Sequence, residues 1–389
     1  MNTTNVPEQS GITCTPEQYN TSLSDPLIHC LTRGDTIGLT LAAQAGLLSL
    51  LTVLYIFFII IRNAICRLRR RRGTSMRMRY IFQKPMDILM LSLFFADLLQ
   101  AIGAVTYLKW VGSGHLEVGE FCSAQGILKQ SGEVGVALST LAIALYTFIG
   151  VWMGITIQSK RVTGGIIGII WFFIGLLILL GNVLNNGARV GFERPAPYWC
   201  WIGDPFFVWR LLGEYLWFWI TLLVSIITYI PLYFWSRGNV TSDDVSWWKF
   251  TIQREADPSE DFKGIRRRSL IMLLYPAIYC LIILPLSVVR WIGFVQEQRG
   301  LVNTVPPAAT FAAMAIFNLS GACNAILLLT TRPKSGLFSR FNYDMDFALA
   351  SSAPLQPRET SNSDSTIGVE EYNLGRLPQG GTGNRMPDL

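Results

Sequence analysis

Charged side chains and histidine are both scarce in this sequence. Only 15% of its 389 residues are Asp, Glu, Lys or Arg, whereas soluble domains carry about 25%. The chain is therefore expected to be a membrane protein. The two histidines, His29 and His115, lie outside the long apolar segments, and no CxxC pair occurs. These absences argue against a zinc site and an intramembrane metallohydrolase. We predict no enzymatic activity, no metal and no cofactor.

Other absences narrow the class of membrane protein. No repeat of 20–50 residues is visible, so a solenoid is not expected. The two halves show no mutual similarity of the kind found in many secondary transporters. The last apolar segment contains no lysine for a retinal Schiff base, which argues against a retinal-type pump. A non-retinal transporter stays open. The basic residues fall between apolar runs and form no continuous face, so no nucleic-acid partner is expected.

Seven segments are long and apolar enough to cross a bilayer, which takes about 20 residues each. They predict an all-α membrane protein with a seven-transmembrane helix bundle. The predicted segments are Ile37–Ile61, Met86–Leu108, Cys122–Met153, Gly164–Asn186, Val208–Trp235, Leu270–Phe294 and Ala308–Thr330.

The distribution of Lys and Arg predicts the orientation, because cytoplasmic loops carry the excess of basic residues. Nine lie at positions 62–84, seven at 237–268, and Lys160 and Arg161 lie between the third and fourth segments. The opposite loops carry few. The N-terminus is therefore expected outside the cell and the C-terminus in the cytoplasm, in a multi-pass plasma-membrane protein. The basic first loop is also expected to contact anionic membrane lipids.

The predicted domain organisation follows from these segments. An extracellular segment, 1–36, precedes the bundle, 37–330, whose third internal loop is 236–268. A juxtamembrane amphipathic helix is expected at 331–349 and a disordered cytoplasmic tail at 350–389. The first apolar segment is expected to act as an uncleaved signal anchor. Asn2 and Asn20 open Asn-x-Ser/Thr acceptors on the outer side and are predicted glycosylation sites.

Four of the seven cysteines fall on the outer side in this topology: Cys14, Cys30, Cys122 and Cys200. Disulfides persist in that compartment, and four cysteines allow three connectivities. We favour Cys122–Cys200, which ties the loop YWCWIGDPF to the third helix, with Cys14–Cys30 as the remaining pair. Reduced, buried thiols are the alternative.

Ionisable residues inside membrane segments are costly and therefore candidates for function. Asp97 lies in the middle of the second segment, and Asn318, Ser320 and Asn324 of the seventh are expected to face it. Such a carboxylate binds Na⁺ or changes protonation when helices shift. The alternative is a satisfied polar contact that only sets packing.

A second group of charged residues lies towards the outer ends of the third, fifth and sixth segments. Lys129 and Glu133 stand four residues apart, as do Arg210 and Glu214, and Arg290 lies near the outer end of the sixth segment. These five residues are predicted to line an external cavity of net positive character that takes a small polar or anionic ligand. Intrahelical ion pairs and interface snorkelling are the alternative.

Two prolines, Pro276 and Pro285, are expected to interrupt and kink the sixth helix, which makes its inner end a candidate moving part. A static kink is the alternative. Gly164 and Gly168 have the spacing of helix-dimer contacts, a weak indication that leaves a dimer open.

Over about 37–340 the chain resembles the G-protein-coupled receptors, and among them the cyclic-AMP-receptor-like and fungal glucose-sensing branch. The resemblance lies in the ordered motifs FFADLL in helix two, FCSAQG at the head of helix three, YWCWI in the following outer loop, the Pro276–Arg290 pattern of helix six and NLSGACNAI in helix seven. The inner end of helix three lacks Asp-Arg-Tyr, and helix seven lacks the Asn-Pro and later Tyr of rhodopsin-like receptors. The rhodopsin-like ionic lock is therefore not carried over.

The resemblance implies a Cys122–Cys200 disulfide and a heterotrimeric G protein as partner. It also implies that the internal loops and the inner end of helix six form the G-protein contact, where Arg266, Arg267 and Arg268 are the candidates. The expected function is a receptor that senses an extracellular nutrient or cyclic-nucleotide-like signal and activates a G protein in cyclic-AMP signalling.

Overall fold

A computed structural model describes residues 11–25, 27–70, 85–153, 159–185, 191–196, 198–236, 240–242, 250–252, 260–299 and 305–331. This part is mostly helical, and seven of its helical segments are long and apolar enough to cross a membrane. The prediction of seven spans is confirmed. The spans, numbered one to seven, are Arg33–Cys66, Pro85–Ser113, Glu120–Gly150, Lys160–Asn185, Asp204–Phe234, Ala277–Gln296 and Pro307–Thr330.

The spans are built from the following helices. They are α2 (Arg33–Arg70), α3 (Pro85–Val105) with α4 (Tyr107–Ser113), α5 (Glu120–Trp152), α6 (Lys160–Asn185), α7 (Phe207–Arg210) with α8 (Leu216–Ser236), α9 (Glu260–Gln298), and α10 (Pro307–Asn318) with α11 (Ser320–Thr331). A 3₁₀ turn, Asp204–Phe206, precedes α7, and a π-turn, Leu211–Tyr215, joins α7 to α8.

The predicted interruption of the sixth helix does not occur, and the kink stays a prediction. α9 continues from Glu260 to Gln298, so Pro276 and Pro285 lie within one helix and do not divide it. Packing against neighbouring helices allows proline inside a membrane helix, because neighbours re-satisfy the freed backbone groups.

One end of the bundle carries both disulfides, and we call it the disulfide end. There a short helix, α1 (Pro16–Ser24), begins with a capping box in which Thr15 accepts from the Gln18 amide and the Gln18 side chain accepts in return. Strand β1 (Ile28–Cys30) then pairs antiparallel with β2 (His115–Glu117), which follows α4. The Cys14–Cys30 disulfide closes this segment on itself, so the predicted pairing is confirmed.

A β-hairpin between spans four and five packs on the same end. Strands β3 (Glu193–Pro195) and β4 (Cys200–Ile202) are antiparallel, and every residue of both strands is buried. A disulfide joins Cys200 to Cys122 in the first turn of α5. The predicted Cys122–Cys200 bond is therefore confirmed, and it holds the hairpin inside the end of the bundle.

Span three occupies the centre and packs against spans two, four, five and six. Small residues bring its backbone close to span two: a Cβ at Gly132 would overlap the backbone of Gln100, and one at Gly135 would meet Ala96. Close backbone approach of this kind is typical of helix contacts in membranes, where van der Waals packing drives association. Large apolar residues such as Phe172 and Leu281 point outwards instead. The chain is thus a multi-pass membrane protein.

The helix of span seven is interrupted at Leu319, and Ser49 of span one bonds to the backbone groups that the interruption leaves unpaired. In an uninterrupted helix the Ala322 amide would donate to the Asn318 carbonyl. Here the Ser49 hydroxyl lies between them: it accepts from the Ala322 amide at 3.1 Å and donates to the Asn318 carbonyl at 2.6 Å. Both buried backbone groups are therefore satisfied.

Several predictions fall outside the described residues. Asn2 lies there, as do most of the third internal loop, 236–268, and the tail, 350–389, with nearly all of the predicted juxtamembrane helix, 331–349. A short hairpin, β5 (Val240–Ser242) with β6 (Phe250–Ile252), is described within that loop. Arg266, Arg267 and Arg268 belong to α9, but their side chains are not described.

The close contact at Gly132 yields a prediction. In Gly132→Ala the new Cβ meets backbone atoms of Gln100, so spans two and three must separate, and we expect a loss of about 1–3 kcal/mol of stability. The matched control is Gly175→Ala on α6, where no neighbouring atom lies within 4 Å of the new Cβ. Thermal unfolding in detergent measures both. An unchanged unfolding midpoint for Gly132→Ala would show that the two spans are not packed this closely.

Candidate functional site

A buried ion pair lies about two turns below the disulfide in span three. Lys129 Nζ is 2.6 Å from Glu133 Oε1 and donates to the Tyr107 hydroxyl of α4 at 2.8 Å. The residues are only 3% and 4% exposed, which is costly for charged groups unless they are paired. The two predicted residues therefore share one helix face, and that face points into the bundle.

Glu214 of span five completes this group from the opposite side. Its carboxyl accepts from the Trp201 indole Nε1 at 2.7 Å and lies next to that of Glu133. Glu214 lies in the π-turn, where Gln130 donates to the Gly213 carbonyl at 3.4 Å. Such π-turns occur frequently at functional sites.

Arg210 reaches the group through the hairpin. It pairs with Asp204, and its Nε donates to the Ile202 carbonyl at 2.8 Å. Its guanidinium carbon lies 5.1 Å from the centre of the Trp201 ring and 5.5 Å from that of Phe294. Arg210 therefore holds the hairpin to the head of span five.

Arg290 reaches the group from span six. Its guanidinium carbon lies 4.0 Å from the centre of the Trp199 ring and 5.2 Å from that of Trp201. Lys129 Nζ lies 5.5 Å from the same Trp199 ring. The structure therefore brings all five predicted pocket residues to the β3–β4 hairpin, Arg210 at its edge next to Asp204. We call Lys129, Glu133, Glu214 and Arg290, with Trp199 and Trp201, the charged cluster.

Sequence reasoning missed the part that the two tryptophans play. Both flank Cys200, are almost fully buried and contact the charged side chains of the cluster. Gln125 was also missed: its Oε1 accepts from the Cys200 amide at 2.9 Å and from the Trp110 indole at 2.8 Å. A buried amide one turn below Cys122 was the available signal, since a buried amide must bond to something nearby.

The second group of candidates surrounds Asp97. Its carboxylate accepts from the Asn324 amide at 2.9 Å and from the Ser320 hydroxyl at 3.3 Å. Asn318 was expected to face it but donates to the Ala42 carbonyl of span one at 3.0 Å. The carboxylate therefore links spans two and seven next to the break at Leu319.

The N-terminal segment covers the disulfide end. His29 of β1 contacts the Tyr198 ring edge-on, and Tyr198 contacts Phe311 of span seven at 4.6 Å between ring centres. Burial lowers the pKa of His29 below its usual 6.5, although Asp35 acts in the opposite direction. Burial and Asp35 raise the pKa of Tyr198 to about 12. These uncharged rings join the segment to the hairpin and the bundle.

The charged cluster is closed in this structure, since its Lys and Glu side chains are buried. A groove of about 300 Å³ lies elsewhere, between spans two, three and four, and is lined by Leu138, Leu145, Ile166 and other mostly apolar side chains. That lining does not suit a charged ligand. Within the described residues no group of three or more metal-ligating side chains occurs.

Comparison of the chain with protein-family models and with curated proteins found no match. Its function must therefore be argued from the residues themselves.

The indole of Trp201 generates one prediction. Trp201→Phe keeps an aromatic ring but removes the donor to Glu214, and an unpaired buried acceptor costs about 1–3 kcal/mol. Trp219→Phe, at a half-exposed position on span five, is the control. The thermal unfolding midpoint should decrease clearly for Trp201→Phe and stay unchanged for Trp219→Phe. Equal midpoints for the two variants would mean that the hydrogen bond to Glu214 does not stabilise the fold.

The lowered pKa of His29 predicts a pH dependence. The docked imidazole binds a proton less readily than the free one, so its contribution to stability is present above about pH 6.5 and is lost as the pH falls further. His29→Gln removes this titration. The difference in unfolding midpoint between wild type and His29→Gln should therefore shrink on acidification. A difference that stays constant with pH would contradict the assignment.

Proposed function

We propose that this protein is a seven-helix receptor of the plasma membrane that resembles the cyclic-AMP-receptor-like branch of G-protein-coupled receptors. The observation that carries the proposal is the closed charged cluster beneath a disulfide-tethered hairpin. Its members come from spans three, five and six and from the loop that follows span four. A ligand bound there would contact several helices that need to move relative to one another.

The orientation of the proposed receptor rests on two independent features. Both disulfides lie at one end, and disulfides persist outside the cytosol. The loops at the other end carry most of the Lys and Arg, as cytoplasmic loops do. We therefore propose that the disulfide end faces outwards, where exposed Asn20 of α1 is accessible for glycosylation.

Signal transmission is proposed to run through the helices that meet at the charged cluster. A ligand shifts the equilibrium only by binding one conformation more tightly than the other. Ligand binding that rearranges Glu214 and Arg290 would move spans five and six, and α9 extends span six to Glu260 beyond the apolar part. The inner end of α9, with Arg266, Arg267 and Arg268, is the proposed contact for a heterotrimeric G protein.

A transporter is the alternative, and the buried ionisable groups Asp97, Glu133 and Glu214 are the observation that favours it, because such groups also mark ion and substrate pathways. The two functions differ in what they do with a ligand. A transporter moves the ligand across the membrane, whereas a receptor promotes nucleotide exchange.

The test uses purified full-length chain in lipid vesicles with a panel of heterotrimeric G proteins. Sugars, amino acids and cyclic nucleotides are added and guanine-nucleotide exchange is measured. A ligand that accelerates exchange by about tenfold or more would support the receptor, because allosteric coupling of 1–3 kcal/mol corresponds to 5–150-fold. Replacement of Arg266, Arg267 and Arg268 by Gln should abolish exchange and leave ligand binding unchanged.

The same vesicles provide the contrary outcome. Uptake of a labelled compound from that panel, with no effect on nucleotide exchange, would overturn the receptor proposal in favour of transport.

A further inference from the structure

The guanidinium of Arg290 has donors that the protein does not use. Among the described residues its contacts are the two indole rings, with no hydrogen bond or ion pair to a carboxylate or carbonyl. A guanidinium carries five N–H donors in a planar fork. Stacked on an indole face, it is held in orientation while the edge of the fork remains free. Arg290 is only partly exposed, so water satisfies these donors incompletely.

The ion-pair partners around Arg290 are unevenly distributed. Lys129 is in direct contact with Glu133, and the Glu214 carboxyl accepts from the Trp201 indole. Among the described residues, no carboxylate lies within ion-pair distance of Arg290. The guanidinium therefore has no direct anionic partner.

Two further arginines lie on the hairpin near Arg290. Arg194 and Arg210 both pair with the carboxylate of half-exposed Asp204, and the Arg210 guanidinium also lies over the Trp201 ring. Their positive charges add to the potential that attracts an anion to this end of the bundle.

The walls near Arg290 are aromatic. Trp201 stacks on Phe294 with ring centres 6.2 Å apart, and Tyr215 meets Phe294 edge-on at 5.2 Å. A ligand next to the guanidinium would therefore contact flat apolar surfaces. This arrangement suits a small molecule that combines an oxyanion with an apolar or aromatic body.

We infer that Arg290 receives a monoanionic oxyanion, such as a carboxylate, on a small ligand with an apolar body, and that this anion is the direct partner that the guanidinium lacks within the protein. The inference rests on the proposed function, because it assigns the ligand class of that same site. Binding would place the anion at the free edge of the fork, between span six and the hairpin.

The test uses a matched set of probes on one ring: benzoate, phenyl phosphate, benzyl alcohol and benzylammonium. Binding to the purified full-length chain is measured by calorimetry and by the shift in thermal unfolding, neither of which needs a G protein. Benzoate should bind more tightly than benzyl alcohol and benzylammonium. It should also exceed phenyl phosphate, a dianion, because Arg290 is the one cation of the cluster that lacks a direct anionic partner among the described residues.

Variants at Arg290 locate the effect. Arg290→Gln should weaken benzoate binding about tenfold or more, since it removes charge-assisted hydrogen bonds. Arg290→Lys keeps the charge but loses the planar fork, so its affinity for benzoate should lie between those of the wild type and Arg290→Gln. Arg299→Gln, an exposed arginine nine residues further along, is the matched control and should bind benzoate as the wild type does.

Three results would overturn the inference: equal binding of benzoate and benzyl alcohol, tighter binding of phenyl phosphate than of benzoate, or unchanged benzoate binding in both Arg290 variants. If Arg290→Gln does not fold, Arg290→Lys alone decides. The two proposals can fail separately. If benzoate binding is anion-selective and depends on Arg290, but no ligand accelerates guanine-nucleotide exchange, the receptor proposal is overturned and this inference stands.

Discussion

The Cys122–Cys200 disulfide fixes a β-hairpin inside the disulfide end of the helical bundle, and the arrangement of the charged cluster depends on it. Because the bond anchors β4 to the first turn of α5, the indoles on either side of Cys200 are directed into the bundle. Gln125 reinforces the same contact by accepting from the Cys200 amide. A covalent bond and a backbone hydrogen bond thus place Trp201 where it can donate to Glu214.

Burial of charge is the second constraint, and it explains how the parts of the cluster are distributed. A charged group removed from water needs a partner with good geometry. Lys129 contacts Glu133 one turn away and Tyr107 on span two, whereas Glu214 of span five lies next to Glu133 and accepts from Trp201 of the hairpin. Apart from the Lys129–Glu133 pair, these contacts join different elements, so rearranging one member disturbs its partners. This is the property expected of a site whose occupancy is transmitted to several helices.

The two polar groups of the bundle differ in their relation to the backbone. The charged side chains of the charged cluster come from uninterrupted α-helices and from one π-turn, and its two tryptophans come from the hairpin. The Asp97 group lies next to a helix break, where Ser49 bridges Asn318 and Ala322. Asn324 and Ser320 connect that break to Asp97. Span seven is therefore linked to spans one and two through hydrogen bonds that could be exchanged between partners during a conformational change.

The sequence alone determined the seven spans, because apolar length is a local property that any bilayer imposes. It also indicated the disulfides, since four cysteines fall in loops on one side, and the face shared by Lys129 and Glu133, since helical spacing fixes it. Only the tertiary structure decided that Arg210 turns to Asp204, because the hairpin and the 3₁₀ turn that follows it place the Ile202 carbonyl and that carboxylate beside the guanidinium. It also decided that Trp199 and Trp201 complete the cluster and that Arg290 has unused donors. These features depend on contacts between residues far apart in the chain, and no local pattern encodes them.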